Sequence, residues 1–446
     1  MEMNNLNADS KRLDVSKIFF KEDFLHYLWK FKLFNIHKTQ TIYNQEISII
    51  SGGTHNHNEG PDFLNAQLNI DKQLWAGNVE IHLTSSDWYV HKHEKDPNYD
   101  AVVLHVVWEY DIPVFFKDGT ELPTVQLKDF VEPSILKAYY ELFSGVQKWI
   151  LCEDSIGETA PFVMKSWLNR LYFERLEVKS KQIFKMLEAS ANDWEAVLFH
   201  LLSKSFGMNL NGGAFLSLSA SFNFSVLRKC QYKKGVLENL LFGQAGFLED
   251  TIEDVCYIQM QKEFEFLKKK FQLLPLSKQQ FLFFRLRPPN FPTLRISQLA
   301  TLYERHMNLF SKVIERSELE DFYKLFSVTT SDYWQTHYVF GKETKKRVNK
   351  TSKSFIDVLL LNAILPLKYA YMRHHNKVDF EILEEMLQKI KPEKNSIIET
   401  FQVKGVKIKS AFDSQALLQM KHFYCDQKKC LQCGIGLELL KPTLKK

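Results

Sequence analysis

The sequence predicts an α+β protein. It has a mixed α/β core at the N-terminal end, a large all-helical middle region and a short C-terminal element of strands and clustered cysteines. Three observations predict this. Up to about residue 130, short alternating or β-branched runs are separated by turn residues. From Pro133 the apolar spacing becomes helical and stays so over long stretches. Near residue 396 β-branched runs return, followed by three closely spaced cysteines. The expected domains are therefore 1–130, 131–395 and 396–446.

The elements follow in order. Phe24, Leu25, Leu28 and Phe31 have helical spacing within 21–33, and 40–50 alternates enough for a strand or two. Phe63 to Ile70 and Leu74 to Leu83 read as a hairpin around Asp71-Lys72. Ala101 to Trp108 is continuous and β-branched, like a buried strand. Val114–Phe116 and Thr124–Leu127 read as short strands joined through the Asp118-Gly119 turn. Helices are expected at about 135–149, 161–189, 193–206, 235–246, 251–271, 297–317, 319–327, 355–375 and 379–390, with Asp193 capping one of them. Ser396–Val403 and Val406–Ile408 read as strands across Lys404-Gly405.

The chain has 446 residues, 45% hydrophobic and 25% charged, a length sufficient for two or three cores. Its 36 phenylalanines make aromatic packing dominant in those cores. A net charge of +5 neither requires nor excludes nucleic acid. The opening MEMNNLNADSKRLD lacks the apolar segment of a secretory signal. The longest apolar run, Phe355–Pro366, is interrupted by Asp357 and Asn362 and is too short to span a bilayer. Six cysteines in this length do not make a disulfide framework. The expectation is a cytoplasmic protein with reduced thiols and no membrane partner.

Residues 59–108 hold Glu59, Asp62, Glu80, His82, Asp87, His91, His93, Asp96, Asp100 and His105 between strand-like runs. Hard cations take carboxylate oxygens and imidazole suits borderline metals, so this is the composition of a metal-dependent hydrolytic site. The hairpin folds Asp62 beside Glu80, and Glu80 and His82, two apart on a strand, share a face. The two carboxylates are expected to hold Mg²⁺ or Mn²⁺, with His82 orienting the attacking water. His93 and Asp96 are further catalytic candidates, since His91-x-His93-x-x-Asp96 has metal-ligand character. Asp87 and Asp96 are equally able to cap short helical turns. His105, inside an apolar strand, reads as a core residue.

Two further groups stand out. Cys430-x-x-Cys433-Gly434 is a knuckle that aims two thiolates at one metal, and Cys425 adds a third. The fourth ligand is either His422, locally, or Cys152; the metal is zinc or an iron–sulfur cluster. Cys230 and Cys256 sit in helical patterns as ordinary thiols. Arg285, Arg287 and Arg295 lie in the proline-rich 284–295 segment, and Lys345, Lys346 and Arg347 in the basic run 341–353. Both suit phosphate binding, and Trp334, His337 and Tyr338 add stacking surfaces. An inter-helix strap and a solvated loop are the corresponding structural alternatives.

Pro61-Asp62 with Glu80-Ile81-His82 resembles the PD-(D/E)xK nuclease superfamily, with His82 where that superfamily usually carries lysine. His93, Asp96 and Asp100 ahead of strand 101–108 are similar to its very-short-patch-repair-like branch. One lone cysteine with three near the C-terminus resembles the iron–sulfur clamp of certain DNA-repair and CRISPR-associated nucleases. In those the lone cysteine precedes the nuclease core, whereas Cys152 follows it. As a set, GPDF (60–63), GNVEIH (77–82), SSDW (85–88), HKHEKDPNYD (91–100), LHVVWE (104–109), LLFGQAG (240–246), RPPNFPTLR (287–295) and the final cysteines resemble the uncharacterised bacterial family DUF2851. That resemblance implies one bacterial architecture and brings no activity. The expected function is a metal-dependent nuclease-like protein that cleaves phosphodiester bonds, with DNA or RNA as partner. The alternatives are a non-catalytic nucleic-acid- or protein-binding scaffold, and a metallohydrolase of a small phosphoester working through His91, His93 and Asp96.

Overall fold

Asp71 and Lys72 both adopt left-handed backbone, with φ of 49° and 69°. That is the two-residue turn whose twist matches an antiparallel ribbon. It joins β3 (Phe63–Ile70) to β4 (Gln73–Thr84) in the hairpin that the sequence predicts. In this computed structural model, which describes residues 20–56, 58–143 and 148–441, the hairpin is the centre of a mixed sheet. β1 (Ile47–Ser51) and β2 (Thr54–His55) both pair antiparallel with β3. β5 (Val102–Glu109) runs parallel to β4, and β6 (Thr124–Gln126) parallel to β5. The chain is α+β.

β5 buries six consecutive residues, Val102 to Val107, as a strand covered on both faces must. α1 (Glu22–Phe31) packs on β4 and buries Phe24, Leu25, Tyr27, Leu28 and Trp29. The Trp29 indole donates to the Gly52 carbonyl at 2.9 Å, which fixes α1 near the β1–β2 corner. A parallel β4–β5 pair cannot be closed by a tight turn, so the connection must cross over. It does so through the short helix α2 (Asp87–Val90) and two 3₁₀ turns. Trp88, 1% exposed, anchors this crossover against Val102, Val114 and Leu122. The loop carrying His91 and His93 is thereby turned back toward β4. The strand expected at Val114–Phe116 is reduced to a single bridge, Phe115 to Glu121, around the turn at Gly119.

The chain divides into two compact units. The first comprises 1–167, 401–406 and 420–446; the second comprises 168–400 and 407–419. The sequence boundary at 130 falls inside the first, and that at 395 inside the second. The second unit is helical. Asp193 caps Trp194–Phe206 by accepting from the Glu195 and Ala196 amides. The helix expected at 297–317 is two, Pro292–Arg305 and Leu309–Glu315, interrupted at His306–Asn308. Helices Met208–Ala220 and Phe224–Cys230 were not expected, because Gly212, Gly213 and several serines blur the apolar period there.

Two sequence expectations need correction. Ser396–Val403 is a helix rather than a strand, and no strand follows it at 406–408. Its β-branched residues suggested extension, but Ile398 and Phe401 are buried at helical spacing and Asn395 accepts from the Ile398 amide at its start. The apolar run at 355–366 belongs to a longer helical stretch, Lys353–His374, which is long and apolar enough to cross a membrane; 72% of its apolar 18-residue window is buried inside the protein. One π-helical turn, Leu360–Ile364, interrupts it.

Gly77 shows how tightly β5 meets β4. A Cβ there would sit 2.4 Å from Val103 Cγ1 and 2.5 Å from the Ala101 carbonyl. Gly77→Ala should therefore push the start of β5 off β4 and cost about 1–3 kcal/mol. Thermal unfolding of the purified variant checks this; an unchanged midpoint would mean that the strands do not approach so closely.

Candidate metal centre

The β3–β4 register places Phe63 opposite Val79, so Asp62 and Glu80 come side by side. Each carboxylate then binds backbone on the other's strand. The Asp62 amide donates to Glu80 Oε2 at 3.1 Å, and the Ile81 amide donates to Asp62 Oδ2 at 3.0 Å. Asp62 keeps 23% of its side chain exposed, while Glu80 keeps only 6%. Burial, reinforced by Asp62, pushes the Glu80 carboxyl up to about 9. Without a cation, burial favours the neutral form of Glu80.

Histidines crowd the other oxygen of Glu80. Oε1 lies 3.3 Å from His93 Nε2 and 3.5 Å from His82 Nε2. His82 Nε2 also lies 3.1 Å from His91 Nδ1. The nitrogens that His82, His91 and His93 can offer a metal lie within 4.8 Å of one another. Behind them, His82 Nδ1 meets His105 Nε2 at 2.8 Å. β4 and β5 set that contact, because their parallel register pairs Glu80 with His105. His93 is held between rings: it stacks on Tyr99 at 3.7 Å and meets Trp88 edge-on. Burial holds His82 and His93 neutral and pulls His105 down to about 3. His105, read from the sequence as a core residue, is fully buried and lies directly behind the cluster.

α1 adds two groups that the sequence reasoning missed. His26 Nε2 lies 3.1 Å from Asp62 Oδ2. Burial acts against its charged form, but the Asp62 carboxylate more than offsets this and the net shift is upward. Burial, with Asp62 next, lifts Glu22 to about 7. Glu22 and His26 are four apart and so share a helix face. That spacing was the available signal, and it was hidden because α1 is read for its apolar side.

The remaining candidates are placed as follows. Asp96 accepts from the Asn98 amide and caps the 97–99 turn. Asp100 is exposed beside Lys117 at 3.2 Å, and Asp87 accepts from the Thr84 amide. Arg295 is turned inward: it bonds Gln298 and Asn290 and lies 3.4 Å from the Phe355 ring centroid. It serves as the inter-helix strap rather than as an outward phosphate fork. Arg285, Arg287, Lys345, Lys346 and Arg347 are exposed on the second unit.

The first unit also gathers four cysteines. After burial, the largest influences on the Cys152 thiol are Cys433 and Cys430; those on Cys425 are Cys152, Cys433 and Cys430. Burial and these neighbours push Cys152 to about 12, and burial followed by Cys433 does the same for Cys430. The Gly436 and Ile435 amides and the Trp167 indole favour the Cys433 thiolate, but burial outweighs them and the net shift is upward. A Cβ at Gly436 would lie 2.2 Å from the Cys430 carbonyl, so the knuckle closes only on glycine. His422, half exposed, faces Asp426 at 3.4 Å. Cys152, not His422, therefore stands with the tail cysteines.

Opposite shifts in one cluster predict a stability optimum for metal-free protein. Glu80 has a raised folded pKa, so its contribution is complete below about 4.5 and is lost as pH rises toward 9. His82 and His105 have depressed folded values, so theirs is complete above 6.5 and is lost as pH falls. Thermal midpoints should fall on both sides of neutrality. Glu80→Gln should flatten the decline between pH 7 and 9; an unaltered alkaline limb would show that Glu80 ionises normally.

No curated protein and no solved structure matches the chain. Residues 22–396, most of the 446, match one family, and that span takes in the β3–β4 hairpin, the histidine loop, α1 and most of the helical unit. The chain belongs to the family described as protein of unknown function, DUF2851.

Proposed function

We propose that this protein is a metal-dependent phosphodiesterase acting on nucleic acid. The observation that carries the reading is the pairing of Asp62 and Glu80 across the hairpin, with Glu22 and His26 of α1 beside them. Two carboxylates and a third nearby are the donor set for Mg²⁺ or Mn²⁺. Such a cation polarises a phosphodiester oxygen and makes a bound water acidic. It would also settle Glu80 in its charged form. His26, whose proton is stabilised by Asp62, supplies the positive charge that a lysine would supply beside the second acid. His82 is unsuited to that role, because it is neutral and both its nitrogens are engaged. Exposed Arg285, Arg287, Lys345, Lys346 and Arg347 suit a nucleic-acid backbone.

The four thiols suit a structural zinc or an iron–sulfur cluster. Their mutual electrostatic influence within one unit supports this.

Purified protein with Mn²⁺ or Mg²⁺ should cleave at least one of single- or double-stranded DNA or RNA. Asp62→Asn and Glu80→Ala should each lose several orders of magnitude in rate, about 4 kcal/mol or more. His26→Lys should retain more activity than His26→Ala. Absence of cleavage across that panel, or activity surviving Glu80→Ala, would sink the reading.

The cysteine site makes a separate claim. Cys152→Ser should release bound zinc or bleach a brown cluster and lower the unfolding temperature, while His422→Ala should do neither. Elemental analysis and absorption of anaerobically prepared protein provide the readout. Full metal content in Cys152→Ser would remove it from the ligand set.

A further inference from the structure

We propose a second metal site on the histidine side of Glu80, in which His82 Nε2, His91 Nδ1 and His93 Nε2 bind one borderline divalent cation of the zinc type, with Glu80 Oε1 beside His82 and His93. This goes beyond the phosphodiesterase reading and does not depend on it.

The three histidine nitrogens lie within 4.8 Å of one another, and the contacts around them approach the edges of a coordination shell. Ligands about 2.0–2.1 Å from one tetrahedral ion lie roughly 3.3–3.4 Å from each other. Here the measured edges are 3.1 Å for His82 to His91, 3.3 Å for His93 to Glu80 and 3.5 Å for His82 to Glu80. Three imidazoles select zinc, cobalt or nickel over magnesium, which takes oxygen ligands in an octahedron. The same residues are poorly explained as a hydrogen-bonded cluster alone. His93 is 8% exposed, and its buried Nε2 makes no well-formed hydrogen bond although it points at Glu80. An orphaned buried nitrogen of that kind calls for a partner.

The surroundings complete the site. A metal at His82 Nε2 requires the proton on Nδ1, and that proton can donate to His105 Nε2 at 2.8 Å. Fixing the tautomer of a ligating histidine in this way is what a supporting residue does. Stacking on Tyr99 sets the plane of His93. The Asp62 amide on Glu80 Oε2 leaves Oε1 facing the histidines. His91 is exposed, so the ion has a route in from solvent.

Cobalt(II) is the probe, titrated into chelator-stripped full-length protein. Imidazole-coordinated cobalt should give visible absorption that saturates at one equivalent per chain, beyond any thiolate-bound cobalt. His91→Ala, at an exposed position, should keep its circular dichroism and weaken this binding about ten-fold or more. His91→Cys should add a thiolate-to-cobalt charge-transfer band relative to the parent, which a merely structural histidine would not produce. Asp62→Asn should lose Mg²⁺-dependent cleavage yet keep the imidazole–cobalt signal, so failure of either reading is visible without the other. An unchanged titration in His91→Ala, or a cobalt spectrum due to thiolates alone, would overturn the site.

Discussion

Asp62 and Glu80 hold each other's backbone, and much of the first unit is arranged around that exchange. The Asp62 amide goes to Glu80 and the Ile81 amide to Asp62, so the strands are clamped by side chains where the β3–β4 ladder is irregular. A clamp made of two acids is costly, because the like charges are neighbours and one is nearly buried. His26 offsets this charge, and neutral histidines surround the buried acid. α1 brings His26 to Asp62, β4 brings His82 to Glu80, and the crossover brings His93. The two-residue turn at Asp71-Lys72 sets the register on which all of this depends.

Desolvation acts on this cluster in two directions. It lifts Glu22 and Glu80 toward neutral acids and presses His82, His93 and His105 toward neutral bases. A polar interior with so little net charge is tolerable in isolation. It is also a set of oxygen and nitrogen lone pairs facing one another with few protons to share. That arrangement is built from burial rather than from surface charge.

The sequence disclosed the hairpin, the buried strand and the helical texture because each rests on a local period or a two-residue turn. Asp62, Glu80 and His82 were legible for the same reason: a known turn fixes which residues face each other. His26 and Glu22 were not legible, since nothing local to α1 says which strand it will cover. His105 looked like core because an apolar strand surrounds it, and only the parallel pairing with Glu80 reveals what it supports. Ser396–Val403 misled because β-branched residues were weighed above the Asn395 cap and the burial of Ile398 and Phe401. The choice of Cys152 over His422 concerns residues far apart in the chain, and spacing carries no information about it.

The first unit is discontinuous in the chain, and this orders events in time. Its sheet and α1 leave the ribosome early, but residues 401–406 and 420–446 come only after 168–400 of the helical unit. Domains tend to fold as they emerge. This one must wait, with Cys152 and the knuckle's docking surface uncovered while more than two hundred helical residues are translated. A chain that stops before the tail carries a first unit that lacks its closing segment.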